Sequence, residues 1–256
     1  MTLKIATWNV NSLRVRLPHV QTWLTDVKPD VLVLQEIKMP NEDFPHGELA
    51  DMGYKSVASG QRTYNGMAIL SREDITDVVT DMPDFEDPQR RLLAATIGDV
   101  RILDLYIPNG ESLTSDKYQY KLSWLSSLKD FIKQELTQHS NMLLLGDFNI
   151  APADIDVHDP AEWEGSVLFS QPERQVFQDL LAMGFKDCFR ELAPDEQVYS
   201  WWDYRMNAFR RNRGLRIDHI LATGHMFASC QNCYIDKAPR KWERPSDHAP
   251  VVAEFM

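Results

Sequence analysis

The chain has 256 residues, 43% of them hydrophobic, and 27 Lys and Arg against 38 Asp and Glu give a net charge of −11. That length makes a substantial core available, and no apolar run approaches the roughly 20 residues a bilayer span needs. Cys188, Cys230 and Cys233 are an odd set that argues against a disulfide framework and for a reducing compartment. Cys230-x-x-Cys233 lacks a second ligand pair and reads as small residues in a strand rather than as a zinc site.

The N-terminus passes straight into a strand: Lys4 to Val10, with Ile5, Thr7 and Val10, carries Asn9 and leads to Asn11. The expectation is an unexported, cytoplasmic monomer without membrane contact, nucleoid-associated if bacterial. Arg16 to Val27 reads as a helix, and Val31 to Leu34 as a buried strand delivering Gln35 and Glu36 to its carboxyl end. Gly66 to Leu70, Leu92 to Ile97 and Val100 to Ile107 read as further strands, the last bearing Tyr106 and followed by Asn109. Asp116 to Gln138 predicts a helix whose apolar face includes Trp124, Leu125, Leu128, Phe131 and Ile132.

Met142 to Leu145 predicts the strand that delivers Asp147 and Asn149, two residues apart and therefore on one side if the strand continues. Pro152 to Ser170 is a long acidic loop, a kind often functional in a compact domain. Pro172 to Met183 predicts a helix with Gly184 just past its end, and Leu215 to Leu221 and Val251 to Phe255 close the set of strands. No linker, repeat or low-complexity tract divides the chain, so residues 1–256 are read as one domain. Strands in groups, with helices between some of them, suit two sheets packed face to face beneath helices.

Charge is unevenly distributed. Acids crowd Glu73 to Asp87 and Asp154 to Glu164, whereas Arg205, Arg210, Arg211, Arg213 and Arg216 lie in a stretch without an acid, followed by Lys237, Arg240, Lys241 and Arg244. Such asymmetry lets one face attract a polyanion that the rest repels. Trp201, Trp202, Tyr204 and Phe209 interleave with the arginines, which favours base stacking and phosphate contacts over a merely solvated face.

Glu36, Asp147 and Asp247 put three carboxylates at or beside strand ends, the oxygen-rich, partly open shell that Mg²⁺ or Mn²⁺ prefers. Asp247-His248 sets an imidazole beside a carboxylate, and Asp218 is the acid available to fix its tautomer.

The segments Thr7 to Arg14 (TWNVNSLR), Gln35 to Lys38 (QEIK), Gly146 to Asn149 (GDFN), Asn212 to Asp218 (NRGLRID) and Pro245 to Pro250 (PSDHAP) strongly resemble the exonuclease III family of apurinic/apyrimidinic endonucleases. The resemblance runs from Lys4 to Phe255 with the motifs in the family's order. The wider superfamily, with deoxyribonuclease I, inositol-phosphate phosphatases and sphingomyelinases, shares the acid, Asn and Asp-His elements; NRGLRID and Trp201 to Arg205 (WWDYR) point to the DNA-repair branch.

The resemblance implies an α/β fold: a four-layer αββα sandwich of two packed, mostly antiparallel sheets flanked by helices. It implies Mg²⁺-dependent hydrolysis of phosphodiesters in double-stranded DNA with abasic sites or blocked 3′ ends, Mn²⁺ being the substitute ion. Glu36 would be the principal metal ligand, with Asp247, with Asp147 and Asn149 at a second position, and with Asn9 in support. Tyr106 would contact phosphate, Asp147 would activate water or protonate the leaving oxygen, and His248, oriented by Asp218, would meet the scissile phosphate. Trp201 would line the sugar pocket. Asn11 stands where some relatives carry an Asp, and Leu215 where some carry a bulky aromatic. Asn11, Asn109, Trp201, Leu215 and Arg205, Arg210, Arg211 and Arg213 form the expected substrate-binding set.

The leading expectation is a repair nuclease with 3′ to 5′ exonuclease, 3′-phosphatase and abasic-site endonuclease activities. The alternatives are a metal-dependent phosphatase for a small phosphoester or lipid headgroup, which needs no extended cationic track, and a silent DNA-binding module, which needs no filled catalytic positions.

Overall fold

The apolar, β-branched runs become the inner strands of two sheets, and the helices cover the outer faces. The structure, a computed structural model, describes residues 2–256. Its first half runs β1 (Leu3–Asn9), α1 (Leu13–Val27), β2 (Val31–Gln35), α2 (His46–Asp51), β3 (Lys55–Ser59), β4 (Met67–Ser71), β5 (Ile75–Val79), β6 (Leu92–Ile97), β7 (Val100–Tyr106) and α3 (Asp116–Leu136). The second half runs β8 (Met142–Asp147), α4 (Pro160–Trp163), α5 (Gln171–Ala182), β9 (Phe185–Asp187), α6 (Cys188–Leu192), β10 (Asp218–Thr223), α7 (Gly224–Phe227), β11 (Cys230–Ile235) and β12 (Val251–Phe255).

One six-stranded sheet has the order β11-β12-β1-β2-β4-β3 and the other β5-β6-β7-β8-β10-β9. The expected predominance of antiparallel pairing holds, with β1–β2 and β7–β8 as the parallel pairs. One apolar core, including Ile5, Val33, Ile69, Ile102, Leu145 and Val251, lies between the sheets. Trp23 and Leu24 of α1 close the outer face of the first sheet, and Trp124, Leu128 and Phe177 of α3 and α5 that of the second. These are the four layers expected.

Local chemistry sets the helix ends. Ser115 accepts from Tyr118 N at 3.1 Å at the start of α3, and at the start of α5 Glu173 reaches back to Ser170 N at 3.0 Å. Helix α1 begins three residues earlier than the sequence predicts, because Ser12 N and Leu13 N are tied to Glu36 O and Ile37 O at 2.7 and 3.1 Å. That leaves Pro18 inside the helix rather than in its first turn. No helix among the described residues is long and apolar enough to cross a membrane.

Several expectations need correction. β10 starts at Asp218, three residues after the predicted start, because Leu215 instead makes isolated bridges with Val157 and Trp201. The acidic loop from Pro152 to Ser170 holds a 3₁₀ turn at Asp154–Asp156 and the helix α4. Cys230 and Cys233 do lie in a strand, both buried, with a register shift between Cys230 and Asn232 that turns both inward.

Candidate active site

Strands β1, β2, β7 and β8 end where β10 begins, so register fixes which polar side chains meet. Asn9 pairs with Gln35 in the parallel β1–β2 ladder, Tyr106 with Asp147 across β7–β8, and Asp218 with Asp147 across β10–β8. Gly146 permits this convergence: its φ is 140° and an added Cβ would lie 2.0 Å from Leu105 O, so no side chain is tolerated one residue before Asp147.

Asn9 Nδ2 donates to Glu36 Oε1 at 2.8 Å and to Asp147 Oδ2 at 2.9 Å. On the other side of Asp147, His248 Nε2 lies 3.7 Å from Oδ2, while His248 Nδ1 lies 2.9 Å from Asp218 Oδ2. Ser200 Oγ donates to Asp218 Oδ2 at 2.6 Å and accepts from the backbone N–H groups of Ile217 and Asp218, which fixes that carboxylate. Ser246 Oγ, donating to Asn9 O at 2.7 Å, ties the segment before β12 to β1.

The electrostatics follow from burial. Desolvation raises the Asp147 carboxyl to about 7 against the opposing pull of His248. Burial works against charge on His248, yet the Asp218 and Asp147 carboxylates raise it to about 10, so the imidazole is cationic at neutral pH. Desolvation, then Glu36 and Asp147, push the Tyr106 phenol well above its usual range, so it remains a neutral donor.

Glu36, Asp147 and His248 each offer a ligand atom within 4.8 Å of the others, the one such group among the described residues. Two carboxylates, the neighbouring Asn9 amide and no thiolate suit a hard divalent cation better than zinc. Asp247 stands apart from that group: its oxygens accept from Asn11 Nδ2 at 2.9 Å and Trp201 Nε1 at 3.0 Å, and, although burial opposes it, His248 and these donors hold its carboxyl low. Lys38, which the sequence motif includes without a role, sets Nζ 2.8 Å from Glu36 Oε2 and 2.6 Å from Asn11 Oδ1. Asn11, Glu36, Lys38 and Asn149 all have left-handed backbone, with φ between 43° and 54°. Strain of this kind clusters at functional sites, where surrounding structure enforces it.

Asn149 differs from the sequence expectation. The strand ends at Asp147, and Asn149, at φ 49°, donates its N–H back to Asp147 Oδ1 at 2.9 Å rather than extending the strand. Its side chain still joins the site, because Asn109 Nδ2 donates to Asn149 Oδ1 at 3.2 Å. Asn109 and Arg205 line an open groove of about 930 Å³ with Arg91, Lys117 and Tyr64. The guanidinium of Arg91 covers the Tyr106 ring at 4.6 Å.

The arginine stretch is only partly a cationic face. Arg205, Arg210 and Arg211 are exposed, but Arg213 pairs with Glu162, and Arg216 is buried against Asp156 and Asp187 at 2.6 and 2.8 Å. Trp202 is core and Phe209 packs on it, while Arg240 is buried and lies 4.8 Å from the Phe209 ring, so these aromatics do not stack on a ligand. Leu215 is fully buried beside the half-buried Trp201 and is not itself a pocket wall. Ser200, Lys121 and Glu173 escape sequence reasoning, since a single Ser, Lys or Glu carries no distinguishing pattern.

The profile of the Endonuclease/Exonuclease/phosphatase family matches residues 6–248. The chain is 34% identical to exodeoxyribonuclease III of Haemophilus influenzae, over 99% of this chain and 100% of that one. Among solved structures, the 3′ phosphatase NExo from Neisseria, bound to product DNA hairpin, is 50% identical with a TM-score of 0.98 over 99% of both chains. An AP endonuclease from Archaeoglobus fulgidus is 41% identical with a TM-score of 0.96, again over 99% of both. The chain belongs to the endonuclease/exonuclease/phosphatase family, among the relatives of exodeoxyribonuclease III.

Proposed function

We propose that the chain is a metal-dependent DNA-repair nuclease that trims 3′ ends and incises duplex DNA at abasic sites, with residues 1–256 acting as one catalytic unit. The observation that carries this reading is the buried line Asp218–His248–Asp147, ending on an oxygen that also accepts from Asn9 beside Glu36. The similarity to exodeoxyribonuclease III, to a DNA 3′ phosphatase and to an AP endonuclease supports DNA as substrate.

Glu36 and Asp147 would hold Mg²⁺, with Mn²⁺ as substitute; when bound, the cation supplies neutralisation of charge on the phosphate. The chain's own groups do the rest. Cationic His248 directs Nε2–H at a phosphoryl oxygen, with Nδ1–H fixed on Asp218. Neutral Tyr106 and the amides of Asn109 and Asn149 are further donors to the phosphate. Asp147, between His248 and the Asn9 amide, is placed to take a proton from the attacking water and return it to the leaving oxygen. Trp201, held by Asp247, faces the nucleotide, while Arg205, Arg91 and Lys117 receive the strand in the groove.

The test compares duplex DNA carrying an abasic site, duplex DNA with a 3′-phosphate, and inositol phosphate, each with and without chelator. Chelator-sensitive hydrolysis of the two DNA substrates is expected. Hydrolysis of inositol phosphate without DNA cleavage would overturn the reading in favour of a small-phosphoester phosphatase.

A further inference from the structure

Lys121 of α3 and Glu173 of α5 form an ion pair at 2.5 Å with neither side chain exposed to solvent. Lys121 Nζ donates to Asn149 O at 2.7 Å, to Asn109 O at 3.2 Å and to Glu173 Oε1. All three ammonium donors are therefore used, two of them on backbone carbonyls of the phosphate-facing amides. Glu173 Oε1 also accepts from Leu168 N at 3.0 Å, and Oε2 accepts from Ser170 N and Ser170 Oγ at 3.0 and 2.5 Å. The pair thus knots the chain leaving β7, the chain leaving β8 and the loop before α5.

Two of the residues so tied have left-handed backbone without being glycine: Asn149 at φ 49° and Leu168 at φ 75°. Such conformations persist only where surrounding structure over-determines them. Leu168 O accepts from Ala151 N at 2.7 Å, which joins the loop to the Asn149 segment a second time. Leu168 belongs to the small apolar cluster of Ala151, Val157, Phe169, Leu215 and Ile217 against which Trp201 packs. Beside it Val167 sits so close to Gly110 that an added Cβ there would lie 3.0 Å from Val167 Cγ2. For stability alone, a well-packed apolar pair serves as well as a buried ion pair. An ammonium and a carboxylate are needed only to hold this many backbone groups at once.

We infer that Lys121 and Glu173 are positioning residues that set the separation between the Asn109–Asn149 amide pair and the Trp201 cluster, so that phosphate and sugar enter a gap already fixed in width. The inference rests on the nuclease reading. Neither residue touches substrate; both act through Asn109, Asn149 and Leu168. Because misplacement by about 1 Å can cost on the order of 100-fold in rate, loosening the pair lowers kcat rather than binding.

The experiment uses Glu173→Asp, which keeps the charge pair but shortens its reach by one methylene, and Lys121→Met/Glu173→Gln, which removes both charges. Turnover of a 3′-phosphate duplex, the half-saturating Mg²⁺ concentration, and amide exchange at Ala151 and Leu168 are measured beside the wild type. Both variants should lose about 10- to 100-fold in kcat per folded molecule, with KM within about threefold and the Mg²⁺ requirement unchanged. Exchange at Ala151 and Leu168 should accelerate about tenfold or more while β8 amides stay protected. If the double variant does not fold, Glu173→Asp decides alone. A merely stabilising pair would lower Tm and leave kcat and the two amides at wild-type values, which overturns the inference. A wild type inactive on DNA would instead overturn the nuclease reading, with the exchange data still judging the pair.

Discussion

His248 stands between two buried carboxylates, its Nδ1 2.9 Å from Asp218 Oδ2 and its Nε2 3.7 Å from Asp147 Oδ2. The two contacts differ in consequence. The Asp218 bond fixes which nitrogen faces the site and keeps the ring cationic, whereas Asp147 faces both the imidazole and the Asn9 amide and is pushed by burial to about 7. Asp218 orients the imidazole while burial raises the carboxyl of Asp147, a division of labour that environment imposes on identical side chains.

The pH profile follows from these directions. The catalytic form needs Asp147 ionised and His248 protonated, so kcat/KM should rise on an acid limb at or below pH 7, since a bound cation favours the Asp147 carboxylate further, and fall on an alkaline limb near 10. Asp218→Asn removes the largest charge holding the proton on His248. The alkaline limb should then move down by about 1–3 units and kcat should fall by about 10²- to 10⁴-fold. An alkaline limb that stays put in the variant would mean that another group sets it.

Glu36 and Asp147 share the Asn9 amide at 2.8 and 2.9 Å, so the cation requirement is localised. Glu36→Gln keeps an oxygen acceptor but removes the charge. Its half-saturating Mg²⁺ concentration should rise by about tenfold or more while Tm moves by only a few degrees, and excess chelator should abolish wild-type activity. Calorimetric titration with Mg²⁺ reads the first effect directly; unchanged affinity would place the ion elsewhere.

What is legible in the sequence and what is hidden there follow a physical pattern. The inner strands are runs such as Val31–Gln35 and Met142–Asp147, apolar on both faces, and the site residues follow directly at their ends. The four sheet edges are β3, β5, β9 and β11; none is among the strands the sequence predicts, and only the cysteines of β11 point to one there. Edge strands are half-solvated, with exposed positions such as Thr76, Asp77 and Val78 in β5, so they lack the apolar signal. Charge misleads for a related reason: in the sequence Arg213 and Arg216 lie in a stretch without an acid, while the fold pairs them with Glu162 and Asp156 from the acidic loop. Lys121 and Glu173 lie in amphipathic helices where a charge reads as solvent-facing, and only tertiary packing makes them partners.

The arginines of this stretch separate into paired and unpaired positions. Arg210 and Arg211 are exposed with no ion pair among the described residues, while Arg213 is tied to Glu162. Removing one Arg–phosphate interaction should flatten the log–log salt dependence of duplex binding by about 0.9. Arg210→Gln/Arg211→Gln should therefore weaken binding and flatten the slope by about one to two units, and Arg213→Gln should change it much less. Fluorescence anisotropy across a salt series is the measurement; an unaltered slope in the double variant would leave the groove at Arg205 and Lys117 as the strand's path.

Between the sheets lies an acid that the site does not use. Asp104 is fully buried; its Oδ1 accepts from Gln35 Nε2 at 2.6 Å, while its Oδ2 and Gln35 Oε1 have no partner among the described residues. Burial raises its carboxyl well above the ordinary aspartate value of 3.8, only partly offset by the Gln35 bond. The sign is therefore that of a raised group: the folded state is favoured by protonation, so Asp104's contribution is fully present below pH 3.8 and is lost as pH rises toward its folded value. Asparagine mimics the neutral acid in shape and cannot ionise. Asp104→Asn should thus match the wild type near pH 4 and exceed it at pH 8, with Tm higher by about 2–4 °C for about 1 kcal/mol in a chain of this size. Thermal unfolding of both proteins from pH 4 to pH 9 tests this, and a variant less stable than wild type at pH 8 would show that Asp104 folds as a carboxylate.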